Sequence, residues 1–515
     1  MKLVKAMATV AGLTMVSRVA GFIRDILTAA ILGAGPIADA FFVALKLPNF
    51  FRRVTAEGAF SVSFVPLYSK KLAANNDADI FASQALSFMT LILSVFTVLM
   101  MVVMPIIIMG LAPGFEKQGV RFDLAVELSR ITFPYLLLVS LTALFGGVLN
   151  ARGRYGPFAA APILFNICLI IALLIGTKWF ETVGHALSWG IFAAGIAQLA
   201  FMIFFIIRQK VKIRFVRPRM SPDIKKLLVL MGPGVLGAGV MHVNLFADMI
   251  IASFMPTGSI SYLYYADRLN QLPLGVVGIA VGTALLPLLS KAVGENDKQE
   301  AHLLFNRSLE YCFLLALPAA VALMVIPDAL IKVLFERGQF ETIDTATTSL
   351  VLIGYAIGLP AYIAAKVFST VYWANEDTMS PVKVSIIITV INIVLAIILS
   401  QAIGVVGIAA STGLVAWLQI TLLKRGLKGQ PEATLDSKCK TNMVKIFIST
   451  CIMAAALFIM KQVLGDVLNN GTQTQSIMAL MALVASGLIT YALAVIFTGA
   501  VSIQQIKTLL SKKRA

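Results

Sequence analysis

The sequence predicts an all-α polytopic membrane protein of about 14 transmembrane helices, arranged as two six-helix lobes in parallel repeat plus two extra C-terminal helices. Three observations carry this. Of 515 residues, 59% are hydrophobic and only 13% charged, with a mean hydropathy of +0.90; a water-soluble chain of this length needs far more polar surface. Apolar runs close to the roughly 20 residues that cross a bilayer recur from end to end. The cations are spread unevenly between alternate loops.

The first apolar segment, 5–31, opens as MKLVKAMATVAGLTMVSRVAGFIRD. It begins like a signal peptide but soon meets Arg18, Arg24 and Asp25 and shows no small-residue cleavage site, so it reads as a retained first helix. The second, 37–65, contains KLPNFFRRVTAEGAF, with Lys46, Arg52, Arg53 and Glu57 where a spanning helix should be oily. The others are 84–110, 129–150, 157–176, 186–207, 226–254, 269–290, 309–327, 348–372, 381–400, 404–423, 444–464 and 476–499. Prolines 48 and 66 in the second segment, and 273 and 287 in the eighth, interrupt backbone bonding and predict bends. The connections are short, and the longest, 208–225 and 424–443, are both basic.

Placing the N-terminus in the cytoplasm puts 28 of the 42 Lys and Arg in inside loops and tails, and 7 in outside loops. That is a strong positive-inside bias, and it predicts both termini in the cytoplasm. The formal net charge of +17 is then topological, set by loops beside anionic lipid, and nucleic-acid binding is excluded as its cause.

The chain also resembles itself at an offset of about 220 to 225 residues. FVPLYSKK (64–71) ends the second segment and LLPLLSKA (285–292) ends the eighth. The fifth and eleventh segments each carry a proline near the start and an asparagine, Asn166 or Asn392, a few turns in. Six helices per repeat is an even number, so both halves share one orientation, as in transporters whose halves rock about a shared site. The predicted division is 1–220, 221–430 and 431–515, the last holding helices 13 and 14.

Seven cations remain inside apolar segments: Arg18, Arg24, Lys46, Arg52, Arg53, Arg268 and Lys366. At bilayer depth each costs at least roughly 2.5–3.5 kcal/mol, so they must pair with carboxylates or line a wet cavity. Asp39, Lys46 and Arg53 are spaced by seven on one helical stripe. Arg53 and Glu57 are i,i+4 neighbours. Arg18 and Asp25 are seven apart, and Asp267 adjoins Arg268. Six clustered cations against four carboxylates (Asp25, Asp39, Glu57, Asp267) leave a net positive lumen, suited to a phosphate-bearing ligand that arginine grips bidentately. The plainer readings are that Arg52 and Arg53 snorkel to headgroups, and that Lys46 and Lys366 are structural. Asp248 and Asp377 are candidates for a coupling cation or proton. No metal motif, P-loop, HExxH or G-x-S-x-G is present, so an enzyme is not predicted and no cofactor beyond membrane potential or a coupling cation is implied.

SRVAGFIRD (17–25), GAGPIADAFFVALKLPNFFRRVTAEGAFSVSFVP (33–66), SYLYYADRLNQLPLGVVGIAVGTALLPLLS (261–290), APGF (112–115) and ERGQF (336–340) together resemble the MurJ (MviN) lipid II flippases of the multidrug/oligosaccharidyl-lipid/polysaccharide exporter superfamily. The resemblance covers essentially the whole chain. It implies translocation of undecaprenyl-diphosphate-linked MurNAc-pentapeptide-GlcNAc to the outer leaflet of the bacterial cytoplasmic membrane, by alternating access. It implies a cationic cavity lined by helices 1, 2, 7 and 8, and a lipid-tail groove formed by the two extra helices. It marks Arg18, Arg24, Asp39, Arg52, Arg53, Glu57, Asp267 and Arg268 as functional. Gln271 stands where relatives can carry glutamate, which removes a carboxylate there. A monomer would suffice, with membrane lipids and the cell-wall synthesis machinery as partners. The alternatives are a flippase for another polyprenyl-diphosphate-linked glycan and a drug or cation antiporter, the latter disfavoured by the arginine excess.

Overall fold

The computed structural model describes residues 2–53, 60–74, 77–117, 119–241 and 243–501. Glu57 lies outside them. Every regular element among the described residues is helical, as a chain in hydrocarbon requires when its backbone groups must be satisfied internally. The chain forms two compact units, Met1–Ser261 with Arg337–Phe340, and Tyr262–Glu336 with Glu341–Ala515.

In the first unit, α1 (Lys2–Leu32) ends at Gly33, whose φ of +69° makes a left-handed terminus. α2 (Pro36–Phe51) passes through Pro48 and runs into a π-helical turn at Arg52 and Arg53. The strand of sequence resumes as α3 (Ser61–Ala73). α4 (Ala78–Val102) and α5 (Met104–Leu111) are one span interrupted before Pro105. α6 (Val120–Thr132) and α7 (Tyr135–Ala151) are broken at Pro134, where the ring removes a helix hydrogen bond. α8 (Gly156–Leu174) and α9 (Val183–Arg208) follow, the latter capped by the Thr182 hydroxyl. α10 (Pro222–Met241) and α11 (Val243–Ser253) also belong to this unit. Its core includes an aromatic group in which buried Phe60, Tyr68 and Phe81 each stack on Phe64.

α12 (Ser259–Gly294) starts with its first turn, up to Ser261, in the first unit and continues into the second from Tyr262. α13 (Lys298–Val325) and α14 (Pro327–Phe335) break at Pro327. α15 (Thr342–Ala374) starts from a capping box between Glu341 and Asp344. α16 (Met379–Ile403), α17 (Val405–Gly426), α18 (Ser437–Val463), α19 (Gly465–Asn470) and α20 (Gln473–Phe497) complete it. α15 and α17 approach closely: a Cβ on Gly358 would lie 2.6 Å from the Gly413 backbone, the small-residue packing that membrane helices favour.

Neighbour relations recur in the two units. α7 and α8 both pack on α9, and α15 and α16 both pack on α17; α4 meets α7 as α13 meets α15. Large apolar side chains point outward, among them Ile386, Ile387, Val390, Val394, Ile397 and Ile398 on α16, the reverse of a water-soluble fold. Among the described residues, ten helices are long and apolar enough to cross a bilayer, and they coincide with ten of the fourteen predicted segments. The first, second, seventh and eighth are the segments that carry charges or breaks within their apolar runs. The prediction of about 14 crossings is matched at ten.

Candidate functional site

The charges of α1 are fixed by a partner far along the chain. Arg24 donates from Nε (3.2 Å) and Nη2 (2.7 Å) to one oxygen of Asp25, and from Nη1 to Asn166 Oδ1 on α8 at 3.0 Å. Asn166 in turn donates to the Ser17 carbonyl at 3.0 Å. Gly21 faces this amide, which a Cβ there would meet at 3.5 Å. The Arg24 guanidinium also sits 5.7 Å from the Phe165 ring centre. Arg24 and Asp25 side chains are only 12% and 6% exposed. A pair this dry survives because every arm of the guanidinium fork finds an acceptor or a ring face. Arg18 is exposed on the same helix. Asp25 therefore answers its neighbour Arg24 as well as lying on the stripe of Arg18.

On α2 the run NFFRR acquires a physical explanation. Phe50 packs edge-on to Phe246 at 4.6 Å, and Phe51 to Phe96 at 5.2 Å and Phe133 at 5.9 Å. These rings pin the helix on two sides immediately before the π turn that carries half-buried Arg52 and exposed Arg53. Single π turns redirect side chains and concentrate at functional sites. Lys46 is half-buried one turn before Phe50.

Asp39 is fully buried at the start of α2. Its carboxylate accepts from the Gly258 N–H (2.7 Å), the Ser261 N–H (3.0 Å) and the Ser261 hydroxyl (2.7 Å). It thus supplies the cap for the first turn of α12 from another helix. Arg121 Nη1 lies 3.9 Å from the same carboxylate. Spacing alone pairs Asp39 with Lys46; the structure gives it these three donors and Arg121. Close by in the chain's first unit, the 337–340 turn docks on the end of α1: Gln339 N–H donates to the Ala30 carbonyl at 2.9 Å, and a Cβ on Gly338 would lie 2.1 Å from that oxygen. The APGF turn docks on the end of α11, with Gly114 N–H donating to Ser253 Oγ at 3.0 Å.

In the second unit, the Arg268 guanidinium lies over the Tyr264 ring at 4.5 Å, one turn away on α12. Asp267 accepts from the Gln271 amide, likewise one turn on. Tyr262 donates to Asp344 at 2.8 Å. Arg268 and Asp267 are half-buried. Lys366 is exposed on α15. Asp248 is half-buried on α11, while Asp377 accepts from the Met379 and Ser380 N–H groups at 3.1 and 2.9 Å, at the entry to α16. Among the described residues no group of three or more His, Cys, Asp or Glu is placed to hold a metal.

Asn166 was legible only as a repeat marker, since its role in holding Arg24 depends on a contact across 142 positions. Tyr264 could be found from its i,i+4 spacing to Arg268.

A family model described as "Lipid II flippase MurJ" matches residues 28–470. A Rhizobium meliloti protein named "Probable lipid II flippase MurJ" is 40% identical over 511 residues, covering 98% of this chain and 94% of its own. A Rickettsia prowazekii protein of the same name is 35% identical over 90% of this chain and 91% of its own. Among solved structures, one titled "Lipid II flippase MurJ, inward closed conformation" superposes with a TM-score of 0.77 at 27% identity, covering 94% of this chain and 98% of that one. A MATE family transporter superposes with a TM-score of 0.69 at 15% identity, covering 81% of this chain and 97% of that one, a likeness of fold. With its sequence matched from near one end to the other, the chain belongs to the lipid II flippase MurJ family.

Proposed function

We propose that this multi-pass membrane protein is a transporter that moves lipid II, undecaprenyl-diphosphate-linked MurNAc-pentapeptide-GlcNAc, from the inner to the outer leaflet of the bacterial cytoplasmic membrane for peptidoglycan synthesis. The observation that carries the reading is the family match across 28–470, joined to arginines on α1, at the α2 π turn and on α12. Arg18, Arg24, Arg52, Arg53 and Arg268 hold the diphosphate and other anionic groups of the head, because a guanidinium stays charged when dehydrated and presents two parallel donors to phosphate oxygens. Arg24 is held in one rotamer by Asp25 and Asn166, and Arg268 is carried on a ring face; both are pre-ordered, so less entropy is lost on binding. The polyprenyl tail stays in lipid.

The halves 1–220 and 221–430 exchange access to the two leaflets, with 431–515 as the tail groove and both termini in the cytoplasm. Asp39 serves as the latch: its three hydrogen bonds to the start of α12 must break and reform in a cycle that moves α2 relative to α12. Lys46, Asp25, Glu57 and Asp267 balance the arginine charge. Asp248 and Asp377 are the carboxylates available to a coupling cation, and membrane potential acts on the net charge moved, by about 2.3 kcal/mol per charge per 100 mV. One chain suffices for this cycle, and cell-wall synthesis enzymes are its functional partners. A cation or drug antiporter on this fold would need a carboxylate-dominated lumen, and the charge on α1, α2 and α12 has the opposite sign.

The test is translocation. In cells dependent on this protein, Arg18→Ala, Arg24→Ala and Arg268→Ala each leave the chain inserted but abolish appearance of lipid II at the outer leaflet. Normal translocation in all three overturns the site assignment.

A further inference from the structure

The longest basic connection, 208–225, is strapped onto α4. The N–H groups of Lys212, Arg214 and Val216 donate to Asp79 Oδ2 (3.1 Å), Ser83 Oγ (3.1 Å) and Ser87 Oγ (2.8 Å). The donors are two residues apart and the acceptors four. Two extended residues span about 6.6 Å and four helical residues rise about 6.0 Å, so the two registers coincide and the strap is held extended along two turns of α4. Both ends are tied. Arg154 donates to Gln209 at 3.2 Å, Ser221 donates to Gln84 at 2.8 Å, and Asp223 pairs with Lys71 at 2.9 Å. Asp79 is itself fixed by Arg152 (2.6 Å) and Tyr68 (3.0 Å).

The ladder uses only backbone donors of the strap, so its side chains are not needed to hold it. Lys212, Arg214, Arg217 and Arg219 are all exposed. An exposed cation run by itself is ordinary solvated surface. Here Phe215 (69% exposed) and Met220 (60% exposed) stand out among the cations, a poor arrangement for water. Ser83 and Ser87 lie in the first turns of α4, a helix long and apolar enough to cross a bilayer. Cations at headgroup level with apolar tips beneath them is the pattern of an interfacial segment.

We propose that this strap is a binding site for anionic phospholipid headgroups, in which Arg214, Arg217 and Arg219 hold the phosphate and Phe215 and Met220 enter the acyl boundary, with the α4 ladder fixing their spacing. The site is separate from the transport arginines; its assignment to the inner leaflet rests on the proposed orientation.

The test uses the full-length protein, purified, stripped of lipid and titrated with phosphatidylglycerol or phosphatidylcholine of matched chains under native mass spectrometry. The wild type retains phosphatidylglycerol in preference. R214Q/R217Q/R219Q loses that preference by about tenfold or more, and R217Q/R219Q, which touches no ladder residue, loses part of it. S83A/S87A keeps every cation but removes two of the three rungs, loosening the strap between the Asp79 rung and the Ser221 tie, and falls between. A wild type without preference, or a triple variant that retains it, overturns the site. Full preference in S83A/S87A overturns the built strap and leaves only diffuse charge. Labelling of Met220→Cys by an impermeant maleimide on intact cells refutes the leaflet while leaving the lipid preference standing, so the two failures are distinguishable.

Discussion

Arg24 and Arg268 are arginines in different settings, and substitution separates charge from geometry. Arg24→Lys keeps the charge but cannot reach Asp25 and Asn166 together, so translocation falls well below wild type even though the net charge of the helix is unchanged. Arg24→Ala leaves Asp25 buried with a lost partner, at a cost of about 3 kcal/mol or more, read as a lower melting temperature in detergent. Arg268→Lys retains a cation over Tyr264, and its loss of translocation should be the smaller of the two. Asp39→Asn retains acceptor capacity on one oxygen only and cannot serve three donors. It weakens the α12 cap by about 1–3 kcal/mol, measured as thermal stability, and lowers flipping. At this scale the sequence named the charged residues but not their partners. Arg24 and Asn166 are 142 positions apart, and Asp39 and Gly258 are 219 apart, distances over which periodicity says nothing.

At the scale of elements, backbone geometry decides which turns can dock. Gly338 has φ +60° and sits where a Cβ would press within 2.1 Å of the Ala30 carbonyl. Gly338→Ala should therefore detach the 337–340 turn from α1, lowering the melting temperature and raising protease sensitivity at that turn. Asp377 tests a helix start. The Ser380 hydroxyl and amide, with the Met379 amide and Lys383, hold its carboxyl below the usual 3.8. A depressed pKa stabilises the folded state above the unfolded pKa and is lost as pH falls through the folded one. The stability difference between wild type and Asp377→Ala is thus constant above about pH 5 and shrinks below about pH 4. The prolines read as bends, 48, 66, 273 and 287, lie inside α2, α3 and α12, whereas the helix breaks fall at Pro134 and Pro327, which the sequence reading did not single out. The π turn at Arg52 was not legible, and neither were the contacts of the preceding Phe50 and Phe51 with Phe246, Phe96 and Phe133, which come from distant segments.

For the molecule as a whole, depletion in a dependent cell should accumulate lipid II on the cytoplasmic side, followed by lysis; accumulation of a different polyprenyl-linked glycan, with lipid II normal, favours the sister flippase reading.

What the sequence by itself determined was the solvent: a chain 59% hydrophobic and 13% charged must place its apolar faces against lipid and close its backbone bonds within helices, and both properties follow from composition and run length. The tertiary structure alone decided how each buried charge is met. A charge in a low-dielectric setting is set by the few atoms within hydrogen-bonding reach, and those atoms arrive from helices that only packing brings together. The same holds for the strap on α4, whose donors and acceptors lie more than 120 residues apart and match only because an extended chain and an α-helix advance by nearly equal steps.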